Sequence, residues 1–283
     1  MSDYPAVAVA HCRALARQHY ENFPVASWLL PLRLRDPVAV IYAFARQADD
    51  LADEGDLSAE QRLAALDRMR QQLLGLEQGL PGEEPVFQAL AYFIPRYSLP
   101  VDLFLDLLSA FSQDVSKTRY AHIGELMDYC RRSANPVGRL LLHLQGQATP
   151  QNLALSDGVC SALQLTNFLQ DIHQDLTEND RIYIPQDELV KFQVSEQQLH
   201  ERFSNTAMRR LMNHQIHRAE RMLRAGAPLG KALTGRFGFE IRMTILGGSR
   251  ILSALKRSED CFSRPRLSRG DWLWMAWHAL RKG

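Results

Sequence analysis

Cysteine is scarce in this chain of 283 residues: the four present, Cys12, Cys130, Cys160 and Cys261, lie far apart and form no Cys-x-x-Cys pair. That excludes a disulfide framework and a cysteine-ligated zinc site as organising devices, and it fits a reducing cytoplasm. Net charge is nearly missing as well. Thirty-three Lys and Arg against 32 Asp and Glu leave a formal charge of +1, without the basic footprint of a nucleic-acid binder, so no nucleic-acid partner is expected. No stretch approaches the roughly 18 apolar residues that a membrane span needs. The opening Met1-Ser2-Asp3-Tyr4-Pro5 has no basic segment followed by an apolar run, so neither spanning nor secretion is expected. Alternating strand patterns longer than a few residues are lacking, and so are a glycine-rich phosphate loop and G-x-G-x-x-G.

What is present is helical periodicity throughout, with 46% hydrophobic residues to build a core. The spacing predicts a first helix over 6–21. A second starts after Asp36-Pro37, read as an N-cap followed by first-turn proline, and stops at Gly55. Ser58 to Gln61 reads as a capping box, and Gly75, Gly79, Pro81 and Gly82 as a turn. Further helices are expected over 85–97, 100–113, 125–144, 164–175, 205–224 and 231–256. The class is therefore all-α, in one domain spanning 1–283.

Two of these helices carry chemistry. At about 100° per residue, Gln164, Asn167, Asp171 and Asp175 fall within an arc of roughly 80°, beside the apolar arc of Leu165, Phe168, Leu169, Ile172 and Leu176. The same construction puts Tyr42, Arg46, Asp49 and Asp53 within about 60° of one another. A single Asp-x-x-x-Asp pair usually marks a solvated helix face. Two pairs, each joined by an amide or an arginine and flanked by apolar residues, instead suit Mg²⁺, which takes carboxylate oxygens and shares its remaining positions with water and phosphate.

Asp49-Asp50-Leu51-Ala52-Asp53 and the Gln164 to Asp175 stretch, together with Leu29-Leu30-Pro31 and Arg181-Ile182-Tyr183-Ile184-Pro185, resemble the squalene/phytoene synthase family of head-to-head prenyl transferases over most of the chain. The resemblance implies an isoprenoid synthase helical bundle around a central apolar cavity and a Mg²⁺-dependent enzyme that ionises a prenyl diphosphate. It implies catalytic roles for Asp49, Asp53, Asp171 and Asp175, which with Asn167 would hold the metal. Substrate contacts would come from His19, Asn22, Tyr42, Arg46, Gln164 and Arg181. In the 19–23 segment only His19 and Phe23 match the family, so His19 is as well read as a structural histidine. The segment after the second motif, 177–185, reads either as a loop folding over the site, with Arg181 free to reach phosphate, or as a simple connection.

A greasy substrate needs small residues along the cavity, and Ala43, Ala45, Ala48, Ala134 and Gly138 are the candidates. Within the family, Tyr129 to Gly138 most resembles the bacterial branch that forms hydroxysqualene for hopanoid biosynthesis. There Arg131, Arg132 and Asn135 stand where relatives keep the cation dry, so presqualene diphosphate, water as quencher and no NADPH are expected. Head-to-head condensation of farnesyl or geranylgeranyl diphosphate is the alternative within the family. Terpene cyclases and a noncatalytic lipid carrier are alternatives outside it. His214 and His217, among Arg209, Arg210, Arg218 and Arg221, read as a solvated basic face. The Trp-rich 271–283 segment either docks on the core or lies in a membrane interface, which would add a peripheral location at the inner face of the membrane to a cytoplasmic one. Enzymes of the same pathway are the expected functional partners.

Overall fold

The structure, a computed structural model, describes residues 4–18 and 31–281. In chain order its helices are α1 (Ala6–Gln18), α2 (Leu32–Asp53), α3 (Ala59–Glu77), α4 (Pro85–Tyr97), α5 (Val101–Asp114), α6 (Ile123–Ser133), α7 (Asn135–Leu144) and α8 (Pro150–Gln170). They continue as α9 (Ile172–Asn179), α10 (Gln186–Phe192), α11 (Glu196–His200), α12 (Thr206–Gly226), α13 (Leu229–Ala232), α14 (Gly235–Arg257) and α15 (Arg269–Arg281). Among the described residues there is no strand, only an isolated bridge between Arg119 and Ile182, so the all-α expectation holds. All four cysteines are free thiols. The helices gather into two compact units, one of residues 1–116 and 136–148 and the other of 117–135 and 149–283.

In the first unit α2 is the central helix, with contacts to α1, α3, α4 and α5. Its buried face includes Val40, Ala43, Phe44 and Ala48, and Phe44 sits edge-on to Phe87 and Phe104 at 6.0 and 5.2 Å between ring centres. Ala43 and Ala48, expected to line a cavity, are closed into this core. The helix also begins five residues before the expected start, with Pro37 inside it. Proline removes the N–H that would pair with the carbonyl of Arg33. The Tyr97 hydroxyl donates to that oxygen at 3.1 Å and makes the earlier start tolerable. Asp36, read as an N-cap, instead accepts from the Tyr4 hydroxyl and Arg13 Nε, both at 2.6 Å, and straps α1 to α2. The Ser58 capping box forms as expected.

In the second unit α8 and α12 form the main helix pair, with α14 packed against both. Gly226 makes the approach possible: a Cβ there would lie 2.6 Å from the Leu155 carbonyl oxygen and 2.7 Å from the Val159 nitrogen. Only glycine lets the backbones meet so closely. The expected 125–144 helix is divided at Ala134, with Pro136 in the first turn of α7. The 231–256 helix is divided at Leu233-Thr234, where α13 ends and Gly235 takes a φ of +65° to open α14.

The basic face expected on α12 is solvated only in part. Arg209, Arg210, His217 and Arg221 are exposed, but Arg218 turns onto the buried Glu188 of α10, donating through NH1 to Oε2 at 3.0 Å. His214 joins the same group and packs against Phe192.

Two measurements check this account. Tyr97→Phe should lower stability by about 0.5–1 kcal/mol, the worth of one partly exposed hydrogen bond, in a denaturant melt. For Glu188, burial raises the pKa, but the bonds from Arg218 and Gln215 outweigh it and hold the carboxyl below the ordinary 4.5. The pair's contribution is therefore present above pH 4.5 and fades as acid titrates the folded state. Glu188→Gln, which leaves Arg218 without its carboxylate, should cost about 3 kcal/mol at pH 7. The gap from wild type should narrow below pH 4.5.

Candidate active site

The first unit presents its acidic cluster on α2. Arg46 lies one turn before Asp49, and its guanidinium meets Asp49 Oδ2 at 3.2 Å and Asp50 Oδ1 at 2.6 Å, with Glu54 as a further partner. Burial works against the arginine's charge, yet Asp50, Asp49 and Glu54 outweigh it and raise its pKa. Tyr42, one turn earlier on the same face, has its hydroxyl pKa raised, first by burial and then by the nearby carboxylates. Asp53 lies half-buried at the last turn.

Arg62, a residue that carries no motif, fixes the end of this helix. Its guanidinium donates to the carbonyl oxygens of Leu51 (3.0 Å), Glu54 (2.9 Å), Gly55 (2.7 Å) and Leu57 (3.1 Å). Helix C-termini leave four carbonyls without intrahelical partners, and here one side chain takes those of Leu51 and the C-cap Glu54 together with two from the turn beyond. Its position, one turn into the helix after Gly55, is the only trace it leaves in the sequence.

The second unit carries Gln164, Asn167, Asp171 and Asp175 across the junction of α8 and α9. The expected continuous helix is kinked at Asp171, whose φ of −108° and ψ of 13° leave the helical region. The backbone bonds Asp171 N to Asn167 O (2.9 Å) and Asp175 N to Asp171 O (2.8 Å) nevertheless keep the residues a turn apart. Gln164 is half-buried and Asn167 exposed. The carboxyl of Asp175 is pushed up to about 7, chiefly by burial and next by the charge of Asp171, with Arg181 and Arg264 opposing. Asp171 is also raised by burial, while Arg264 pulls it down.

Arg264, which the motifs do not contain, grips Asp171 with Nε at 2.6 Å from Oδ1 and NH2 at 3.3 Å from Oδ2. The neighbouring Pro265 carbonyl accepts from Gln170 at 2.8 Å, which ties this segment to the end of α8. Its signal, one of two arginines flanking Pro265 nearly a hundred residues downstream, has no spacing to read.

Residues 181–185 are not a loop lying free over the site. Ile182 N donates to Thr118 O at 2.9 Å, Ile182 and Ile184 are buried, and Tyr183 stacks on Phe168 at 3.7 Å with ring planes 9° apart. Tyr120 and Tyr129 complete the aromatic cluster. Arg181 is buried rather than free, with its backbone N–H on Asp175 O at 3.0 Å and its charge acting on the Asp175 carboxylate. On α6, Arg131 and Arg132 both engage Asp128, at 3.1 and 3.0 Å. Arg131 is exposed, Arg132 largely covered, and Asn135 is buried, accepting from Ser161 Oγ at 2.9 Å. His19 and Asn22 lie outside the described residues. Within neither unit do three or more His, Cys, Asp or Glu converge as a self-sufficient metal site among the described residues. Each unit offers an Asp-x-x-x-Asp pair with arginine on at least one of its carboxylates, Arg46 on Asp49 in the first and Arg264 on Asp171 in the second.

Residues 16–272 match the model of the squalene/phytoene synthase family. The chain is 36% identical over 257 residues to a hydroxysqualene synthase of Sinorhizobium fredii, covering 90% of this chain and 86% of that protein. It is 35% identical over 248 residues to a hydroxysqualene synthase of Rhodopseudomonas palustris, covering 87% and 83%. Among solved structures, the crystal structure of squalene synthase HpnC from Alicyclobacillus acidocaldarius matches with a TM-score of 0.84 at 36% identity, over 92% of this chain and 97% of that one. Two Asp-x-x-x-Asp pairs on an all-α scaffold, matched along nearly the whole length, lead to one conclusion: the chain belongs to the squalene/phytoene synthase family and is an enzyme acting on prenyl diphosphates.

Proposed function

We propose that this enzyme converts presqualene diphosphate and water into hydroxysqualene and diphosphate, with Mg²⁺ and without NADPH. The observation that carries the reading is the near-full-length similarity to two proteins named hydroxysqualene synthase, with both aspartate pairs in place.

The donor set fits the ion. Mg²⁺ characteristically takes one or two carboxylates and completes its shell with waters and substrate phosphate, rather than entering an all-protein cage. Asp49 and Asp53 in one unit, and Asn167, Asp171 and Asp175 in the other, supply hard oxygen ligands of that kind. When bound, the ion supplies charge to the departing diphosphate. In each unit the chain's own cations suit such an anion. Arg46, Arg181 and Arg264 are held against carboxylates, and a diphosphate would offer these guanidiniums a second set of oxygens in the geometry they bind best.

In the reaction the carbon–oxygen bond to diphosphate breaks and the electron pair leaves with the phosphate. The cyclopropylcarbinyl cation rearranges, water adds through its oxygen, and a proton is lost to give the alcohol. On α6 Asp128 and Arg131 face solvent and Tyr129 is buried, so what supports water as the quencher is the buried amide of Asn135, to which Ser161 Oγ donates at 2.9 Å, beside the largely covered Arg132. For a substrate this apolar we place the exchange at a membrane surface, with α15 as the contacting element and enzymes of the same pathway on either side of the step. No described helix is long and apolar enough to cross a membrane.

Asp53→Asn and Asp171→Asn should each cut diphosphate release in Mg²⁺ by about 100-fold or more while leaving the melting temperature within a few degrees of wild type. Near wild-type release from both would refute the two-pair site. With presqualene diphosphate in oxygen-labelled water, the label should appear in the alcohol, and NADPH should change nothing. If presqualene diphosphate is returned untouched while two farnesyl diphosphates are condensed, the enzyme belongs to the preceding reaction.

A further inference from the structure

The second unit holds a cavity of about 340 Å³ far from its aspartates, where α13, the end of α12 and the middle of α14 meet α15. Its polar lining is basic: Arg224, Lys231, Arg242 and His278, with no carboxylate among the lining residues. Arg242 forms the inner wall, donating through Nε to the Ala279 carbonyl at 2.8 Å and through NH1 to the Gly230 carbonyl at 2.7 Å. Arg224 and Lys231 stand exposed at the mouth. The place is distinct from the aspartate site. The cavity adjoins Gly226, which packs on α8 beside Gly158, and Gly158 is 13 residues before Asp171, or roughly 20 Å along the helix.

The helix that covers this cavity is apolar on its outside. α15 docks through Met275 and Ala279, which are 1% and 0% exposed, and through Asp271 paired with Arg250. The opposite face leaves Trp272 54%, Leu273 76%, Trp277 55% and Leu280 69% exposed. At about 100° per residue these four lie within an arc of roughly 140°. Arg281 lies over the Trp277 ring at 4.6 Å, and Arg269 stands exposed at the other end of the helix. Monomeric proteins seldom leave two tryptophans and two leucines uncovered on one helix face, and Trp beside Arg suits the zone between headgroups and acyl chains. A 13-residue helix spans only about 20 Å and can lie in that zone but cannot cross it.

We propose that the outer face of α15 and the basic cavity beneath it are one docking surface for an anionic bilayer, with Trp272, Leu273, Trp277 and Leu280 in the acyl boundary and the phosphate of an anionic phospholipid headgroup held by Arg224 and Lys231. The complementarity is on both counts, apolar face to acyl chain and acid-free basic cavity to phosphate. It deepens the membrane contact placed at α15 above and gives that contact a headgroup preference.

The test is co-sedimentation of the full chain with vesicles of phosphatidylcholine alone and with vesicles containing about one-third phosphatidylglycerol. Wild type should bind the anionic vesicles about 10- to 30-fold more tightly, as expected for two cations near a charged surface. Arg224→Gln with Lys231→Gln should abolish that preference. Trp272→Ser with Trp277→Ser should weaken binding to both vesicle types. Arg209→Gln with Arg210→Gln, which removes two exposed charges from the other end of α12, should change nothing. Equal binding to both vesicle types, equal effects of the two charge-removing pairs, or phosphate binding without vesicle binding would each overturn the proposal. Diphosphate release from detergent-dispersed substrate, measured without vesicles, separates the two readings: its absence in wild type counts against the proposed reaction and leaves the vesicle result standing.

Discussion

Asp171 and Asp175 stand one helical turn apart in a half-buried place, and the cost of burying two neighbouring carboxylates is the constraint around which the second unit's site is arranged. Burial raises both, and with the charge of Asp171 beside it Asp175 is pushed up to about 7 even against Arg181 and Arg264. The structure answers with cations from two distant parts of the chain, Arg181 from the segment bonded to residue 118 and Arg264 from the segment before α15. Each arginine is anchored by neighbours that have no charge of their own: Ile182, Tyr183 and Ile184 hold the first, and the Pro265 carbonyl on Gln170 holds the second. The aromatic cluster around Phe168 and Tyr183 is thus part of the electrostatic design, because it fixes where Arg181 emerges.

The first unit solves the same problem with less machinery. One arginine on the motif's own helix, Arg46, meets three carboxylates, and Arg62 from the next helix collects the carbonyls at the helix end. Its acids are more open to solvent, which screens them.

Much of this was legible in the sequence because helical repetition projects onto a few angles. Tyr42, Arg46, Asp49 and Asp53 fell on one face by spacing alone, as did Asp171 and Asp175, and the helix over 85–97 and the Ser58 capping box need only local chemistry. The errors were also local rules overridden by distant partners. Asp36-Pro37 is a good N-cap signal, yet Tyr97, sixty residues away in sequence, relieves the cost of Pro37 and lets α2 begin earlier. Of the two readings of 177–185, a loop over the site or a simple connection, the second fits, because two isoleucines are buried and Tyr183 stacks on Phe168.

The sequence by itself therefore determined the helical class, the faces that carry the carboxylates and the family, since each depends on residue type at fixed spacing along one helix. Tertiary structure alone decided that Arg264 meets Asp171 and that Arg62 collects carbonyls where α2 ends, since neither arginine belongs to a motif. It also decided that the Trp-rich end docks by its small residues and leaves its large ones outside. The physical reason is that a charge or an apolar face is satisfied by whatever folding brings within a few ångströms, and chain distance carries no information about that.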